Sequence, residues 1–316
     1  MTSAVRRERN HFVVRPRRAA RYPRSMKFPP VQPFPDDAFT RVLCVVAHPD
    51  DVEYGTSSAV AAWTAKGIEV AYLLLTRGEA GIDTMDPKAT AELRIGEQIK
   101  GSHEVGVTQV NFLEYPDGVL EYSIAMRRDI ARAIRSFRPD ALVVSAWDVE
   151  FLAIGLNQAD HRVAGLAVVD AMRDAANRWV FPELLDEGLE PHSTRWLITN
   201  GFENATHGVD ISGESLERGI ASLEAHAEYL AAIPGHPAPR DMISGVHCVT
   251  GQGDGCRKRS AVSSVGFPSP SSPLGGIRGS SRTTGICGGL VSSLFSALNQ
   301  GNPVRESQQG VLPVAA

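Results

Sequence analysis

Between Arg41 and about residue 230, short β-branched apolar runs alternate with longer segments whose apolar residues recur every three or four positions. Arg41-Val-Leu-Cys-Val-Val-Ala47 is apolar at every position after the arginine, the pattern of a strand buried on both faces. Ile68–Leu75, Gln109–Leu113 and Ala141–Ser145 repeat it, and Trp196–Thr199 and Gly208–Ile211 are shorter candidates. Residues 56–66 suit a helix through Ala59, Ala61, Ala62 and Trp63, with Gly67 placed to end it. Asp86-Pro87 supplies an N-cap and a first-turn proline for a helix running to about Gly106. Residues 122–137 set Ile124, Ile130, Ala133, Ile134 and Phe137 on one stripe; residues 160–176 form another helix, and Ser212 caps a last one to about Leu230. This alternation predicts an α/β fold: a Rossmann-like, doubly wound, mostly parallel sheet flanked by helices, as a single domain over residues 41–245.

Outside those limits the pattern disappears. Residues 1–40 carry nine Lys/Arg against Glu8, Asp36 and Asp37, and read as a basic, Pro/Arg-rich disordered arm, most of which a start at Met26 would delete. Residues 246–316 hold 12 Ser, 12 Gly and five Pro, and read as a disordered tail, with Leu290–Leu298 the one weakly amphipathic stretch. A shift of reading frame near Gly245 would explain the change, and on this view a chain ending near Ser244 keeps its fold. The body between holds 17 basic against 31 acidic residues, which argues against a nucleic-acid groove. No apolar run is long enough for a membrane span or a secretory h-region, so the expectation is a cytoplasmic protein without membrane or nucleic-acid partners. Cys44, Cys248, Cys256 and Cys287 form no C-x-x-C pair, so neither a disulfide framework nor a cysteine zinc module is indicated.

Ligands of doubly wound sheets bind beyond the C-terminal strand ends, where the strand order reverses. After the first long strand comes Ala47-His48-Pro49-Asp50-Asp51-Val52-Glu53, an imidazole and three carboxylates within six residues. After the fourth comes Asn157-Gln158-Ala159-Asp160-His161, and these two strands are commonly neighbours at the switch point. His48, Asp51 and His161 would make a workable catalytic zinc site of two histidines and one carboxylate, with a position left open for water. Asp50, adjacent yet not needed as a ligand, suits a general base. The plain alternative is a solvated polar turn with an aspartate as N-cap. A dinucleotide-binding role is disfavoured, since no G-x-G-x-x-G follows the first strand.

The segment Ala47–Glu53 resembles the A-H-P-D-D-x-E motif of the LmbE-like (PIG-L-type) zinc-dependent de-N-acetylases, and Gln158–Gly165 resembles that family's second signature, x-x-D-H-x-x-A-G. The resemblance spans about residues 40–240. It implies a hydrolase of linear amide C–N bonds that removes an acyl group, acetyl above all, from an N-acylated aminosugar by zinc-activated water. It implies metal ligands His48, Asp51 and His161 for Zn2+ or another divalent ion, Asp50 as base, and Asp160 orienting the histidine cluster, with Glu53 supporting the turn. Arg94 and Asp117 resemble positions that hold sugar hydroxyls. Gln158 stands where some sugar deacetylases have a second histidine; it can donate a hydrogen bond to the oxyanion but cannot transfer a proton at neutral pH. Loop 76–88, with Gly78-Glu-Ala-Gly81, is a candidate lid or substrate wall. A thiol-sugar conjugate amidase, an antibiotic-tailoring deacetylase and a catalytically idle α/β binding module are the alternatives, and a homo-oligomer is left open.

Overall fold

The computed structural model describes residues 32–151, 155–200, 207–246 and 259–266. The chain enters through β1 (Gln32–Pro33) and a short 3-10 turn, then β2 (Arg41–Val46), α1 (Asp51–Gly55), α2 (Ser57–Ala65), β3 (Glu69–Leu74), α3 (Pro87–Glu104) and β4 (Gln109–Phe112). It continues through α4 (Ile124–Phe137), β5 (Ala141–Val144), a ribbon of β6 (Glu150–Phe151) and β7 (Gly155–Leu156), α5 (Ala159–Ala175), α6 (Glu183–Asp186) and β8 (Trp196–Asn200). The last elements are β9 (His207–Asp210), α7 (Glu214–Glu224), α8 (Ala227–Ala232), α9 (Pro239–Val246) and β10 (Arg259–Gly266).

The main sheet runs β1-β9-β10-β8-β5-β2-β3-β4. From β8 to β4 every pairing is parallel, as βαβ crossovers require. Its centre is buried on both faces. Val42, Cys44 and Val46 of β2 join the core under α2 and α7, whereas Leu43, Val45 and Ala47 join the core under α4 and α5. That two-sided burial is why the run carries no polar alternation. Ala59, Val60 and Trp63 meet Leu216, Ile220 and Leu223 on the first side; Ile130 and Ile134 meet Ala164, Val168 and Ala171 on the second. Helices α2 and α7 touch through Gly219, where a Cβ would sit 2.0 Å from Ser58 Oγ. Among the described residues, no helix is long and apolar enough to cross a membrane.

Local chemistry sets several boundaries. The Asp86 side chain accepts from the N–H groups of Lys88 and Ala89, with Pro87 in the first turn of α3. Ser123 caps α4 through the Met126 N–H. Ile124, placed by periodicity on the buried stripe, is 62% exposed, because it lies in the first turn before the helix meets the sheet. The helix expected over 56–66 starts earlier and breaks at Thr56, giving α1 and α2. Gly213 rather than Ser212 occupies the N-cap of α7, and the last long helix splits at His226.

Both chain ends depart from the expected limits. Gln32–Pro33 pairs with β9, and Phe34 and Phe39 are buried against Trp63, so the residues just before Arg41 pack on the core rather than forming a free arm. Within the expected tail, Arg259–Gly266 forms a strand antiparallel to both β8 and β9. Its first half, Arg259–Val262, pairs with β9 and its second, Val262–Gly266, with β8, a long-range arrangement that no local apolar period announces. Residues 1–31 and 267–316, including Leu290–Leu298, lie outside the described residues.

Candidate active site

The β2 chain leaves the sheet into a turn built by its own aspartate. Asp51 Oδ2 accepts the N–H groups of Ala47 and His48, both at 3.0 Å, so its other oxygen is aimed by the backbone. Asp50 closes the turn in the left-handed region (φ 84°), and its side chain caps no backbone N–H. Because β5 neighbours β2, the loop after β5 brings Asn157–His161 to the same edge. There His161 Nε2 lies 3.0 Å and His48 Nδ1 3.7 Å from Asp51 Oδ1. One ligating atom each from His48, Asp51 and His161 fall within 4.8 Å of one another.

Partners behind each histidine fix which nitrogen faces inward. His48 Nε2 lies 3.1 Å from Asp117 Oδ1 and 3.3 Å from Asp160 Oδ2, so it carries the proton and leaves Nδ1 free. Asp160 is itself held by the N–H groups of Gly118 (2.7 Å) and Leu120 (3.1 Å). His161 Nδ1 meets Asn157 Oδ1 at 3.2 Å, and Asn157 spends its amide N–H groups on the carbonyls of Ala146 and Asp148. The Asn157 oxygen therefore acts as acceptor, and His161 presents a bare Nε2.

The electrostatics call for a cation. Burial alone would pull the His48 imidazole down, yet hydrogen bonds to Asp117 and Asp160, together with the nearby Asp51 charge, outweigh it and push it up to about 12. Burial raises Asp51, but His161 and His48 hold it well below the usual carboxylate range. A proton on the imidazole or a metal ion would each compensate these carboxylates, and a neutral-histidine, carboxylate donor set with both tautomers fixed fits a divalent ion. Asp50 is pushed up to about 7 by burial, partly offset by Arg94. Glu53 lies behind the turn, pushed up to about 8 by burial despite the hydrogen bond from Gln98. Gln98 ties it to the turn by also accepting the Asp50 N–H.

A cleft of ≈ 260 Å³ opens over these groups. His48, Asp50, Asp51, His161, Gln158, Arg94 and Asp117 all border it, so the expected residues converge except Asp160, which stands behind His48. Arg94 is buried, not an exposed helical arginine: its NH2 donates to Pro49 O at 2.6 Å and lies 3.0 Å from Asp50 Oδ2. Asp117 accepts the Ala80 N–H, fastening loop 76–88 to the cleft. Gln158, at the N-cap of α5, makes no capping bond with its side chain. Tyr54 and Tyr229 also border the cleft and were missed. Tyr54 directly follows the first motif, whereas nothing local marks Tyr229.

A sequence profile described as PIG-L: GlcNAc-PI de-N-acetylase matches residues 43–172, spanning both loops of the cleft. The uncharacterized deacetylase YaiS of Escherichia coli (strain K12) is 30% identical over 158 residues, 49% of this chain and 76% of that protein. The chain belongs to the PIG-L family. Diacetylchitobiose deacetylase of Thermococcus kodakarensis is 29% identical over 199 residues, covering 62% of this chain and 71% of that one. The solved N,N'-diacetylchitobiose deacetylase of Pyrococcus horikoshii shares the fold, with a TM-score of 0.64 at 21% identity over 73% of this chain and 86% of the other. The family model and both relatives are named as deacetylases, and this chain is accordingly an amide hydrolase.

Proposed function

We propose that this protein is a zinc-dependent N-deacetylase of N-acetylated aminosugars. The observation that carries the reading is the convergence of His48, Asp51 and His161 in the lining of the cleft, with ligating atoms within 4.8 Å and both ring tautomers set from behind. These three would hold the metal, zinc by the chemistry of the donors. A divalent ion so bound supplies Lewis acidity, acidifying water and polarising an acyl oxygen. The names of the similar deacetylases of diacetylchitobiose support the sugar substrate.

The chain's own residues then divide the work. Asp50, on the cleft wall beside the metal set and pushed up to about 7, accepts the proton of the attacking water and returns it to the departing amine. The Gln158 amide donates a hydrogen bond to the oxygen that becomes negatively charged, a contribution of a few kcal/mol in comparable sites. Asp160 and Asn157 keep His48 and His161 in their ligating tautomers. Asp117 anchors the rim of loop 76–88, where the sugar would lie.

The test is acetate release by the zinc-loaded full chain from a panel of N-acetylglucosamine derivatives and thiol-sugar conjugates. Asp50→Asn keeps its zinc and loses about 10²-fold or more in turnover. No acetate from any N-acetylated sugar refutes the substrate class, and a variant near wild-type activity removes Asp50 as the base.

A further inference from the structure

The Asp50 carboxylate is approached from a direction that neither sequence motif supplies. Its Oδ2 is buried without a well-aligned donor among the described residues, since Arg94 NH2 at 3.0 Å directs its hydrogen bond to Pro49 O. The guanidinium has no room to swing further. A Cβ on Gly78 or Gly81 would lie 2.6 or 2.5 Å from Arg94 NH1, so loop 76–88 closes on one side of the group. On another side the Tyr229 ring lies flat against it, with Arg94 Cζ 3.7 Å from the ring centroid. Tyr229 belongs to α8, outside residues 43–172, and borders the cleft together with Asp50. The same guanidinium therefore touches both the Asp50 carboxylate and the Tyr229 ring, which puts the phenol beside Asp50 at the cleft. Burial raises the phenol well above its usual range, so the hydroxyl stays neutral and can only donate to a carboxylate.

We propose that Tyr229, locked in place by the Arg94 stack, is a positioning residue that donates its hydroxyl to Asp50 and fixes the carboxylate at the cleft. Arg94 is then half of this clamp rather than a free grip on a sugar hydroxyl. The inference rests on Asp50 being the base. It differs from a packing role, because stacking on Arg94 needs only the ring, whereas orienting Asp50 needs the hydroxyl.

Tyr229→Phe separates the two, since it keeps the ring and removes the donor. In the zinc-loaded full chain, the near-ultraviolet difference between wild type and Asp50→Asn contains a tyrosine band, because the phenol exchanges a carboxylate partner for an amide. The same difference taken between Tyr229→Phe and the double variant lacks that band. On an N-acetylglucosamine substrate, Tyr229→Phe lowers kcat about tenfold, the loss expected from one orienting hydrogen bond, with KM within about twofold and a fall in Tm smaller than that of Tyr229→Leu. Identical difference spectra in both pairs, wild-type kcat in Tyr229→Phe, or a rise in KM alone each overturn the proposal. A wild-type enzyme without turnover refutes the proposed function instead, and the spectral comparison still decides on the hydrogen bond.

Discussion

Asn157 offers the sharpest test of how the metal set is prepared. The residue is 5% exposed and its side chain makes three hydrogen bonds: 2.7 Å to Ala146 O, 3.0 Å to Asp148 O and 3.2 Å from His161 Nδ1. Asn157→Ala removes all three, leaving two carbonyls and a ring N–H to find water in a partly buried loop. A buried group left unsatisfied costs about 1–3 kcal/mol, so the metal-free protein loses stability on that order. The loss specific to metal has a different origin. With no acceptor at Nδ1 the His161 proton is free to move to Nε2, and loss of such an orienting partner typically weakens metal affinity by about 10–100-fold, or about 1.4–2.7 kcal/mol. Asn157→Asp provides the contrast, because it keeps the acceptor for His161 but cannot donate to the carbonyls. It should lower the urea midpoint yet hold zinc within a few-fold of wild type. Zinc competition against a chromophoric chelator reads the affinity, and urea unfolding of the metal-free proteins reads the stability. Equal zinc affinity in Asn157→Ala and wild type, or equal losses in both variants, would refute tautomer control by this residue.

Three other outcomes follow from the packing. His226 is fully buried with neither ring nitrogen partnered among the described residues, and burial, aided by Arg94, depresses it to about 3. Its folded value lies below the unfolded one, so the stability it permits is complete above about pH 6.5 and falls away as pH drops toward 3; in His226→Leu the metal-free protein should lose less Tm between pH 7.5 and 4.5, and parallel losses would show that His226 does not titrate this way. Gly219→Ala drives a methyl to 2.0 Å from Ser58 Oγ and 2.8 Å from Ser58 N and Cα, so it should cost about 1–3 kcal/mol at unchanged m, and a wild-type urea midpoint would show that α2 and α7 separate freely. A chain ending at Ser244 lacks β10 and should melt well below the full chain, contrary to what composition implied; coincident melting curves would mean that β8 and β9 do not need the strand.

The elements that could be read from the sequence are those whose local pattern equals their tertiary environment. Val42–Val46 is apolar throughout because both faces are covered, and the Asp86-Pro87 cap works within its own turn. His48, Asp51 and His161 were readable because a parallel β2–β5 pairing brings two marked loops to one edge. Arg94 has the appearance of an ordinary helical cation until Gly78, Gly81 and Tyr229 are seen around it. Tyr229 is legible in no motif, since its meaning depends on where α8 crosses the cleft. Phe34 and Phe39 stand in a Pro-rich segment without periodicity, and β10 lies in a Ser/Gly-rich stretch whose pairing with β8 and β9 is long-range.

The place of β10 in the sheet also dictates an order of events during synthesis. It is the last described strand in the chain, yet it lies between β8 and β9 and, among the described residues, is the strand that bridges them. Until Arg259–Gly266 leaves the ribosome, β9 and its small partner β1 cannot join the parallel strands, and β8 presents an open edge. About 50 residues separate β9 from β10, which at ~5–20 residues per second leaves that edge uncovered for ~3–10 s. Unpaired edges of this kind recruit strands from other chains. Nascent copies on one messenger are thus exposed to cross-pairing in that interval, and slower translation over residues 211–258 lengthens it.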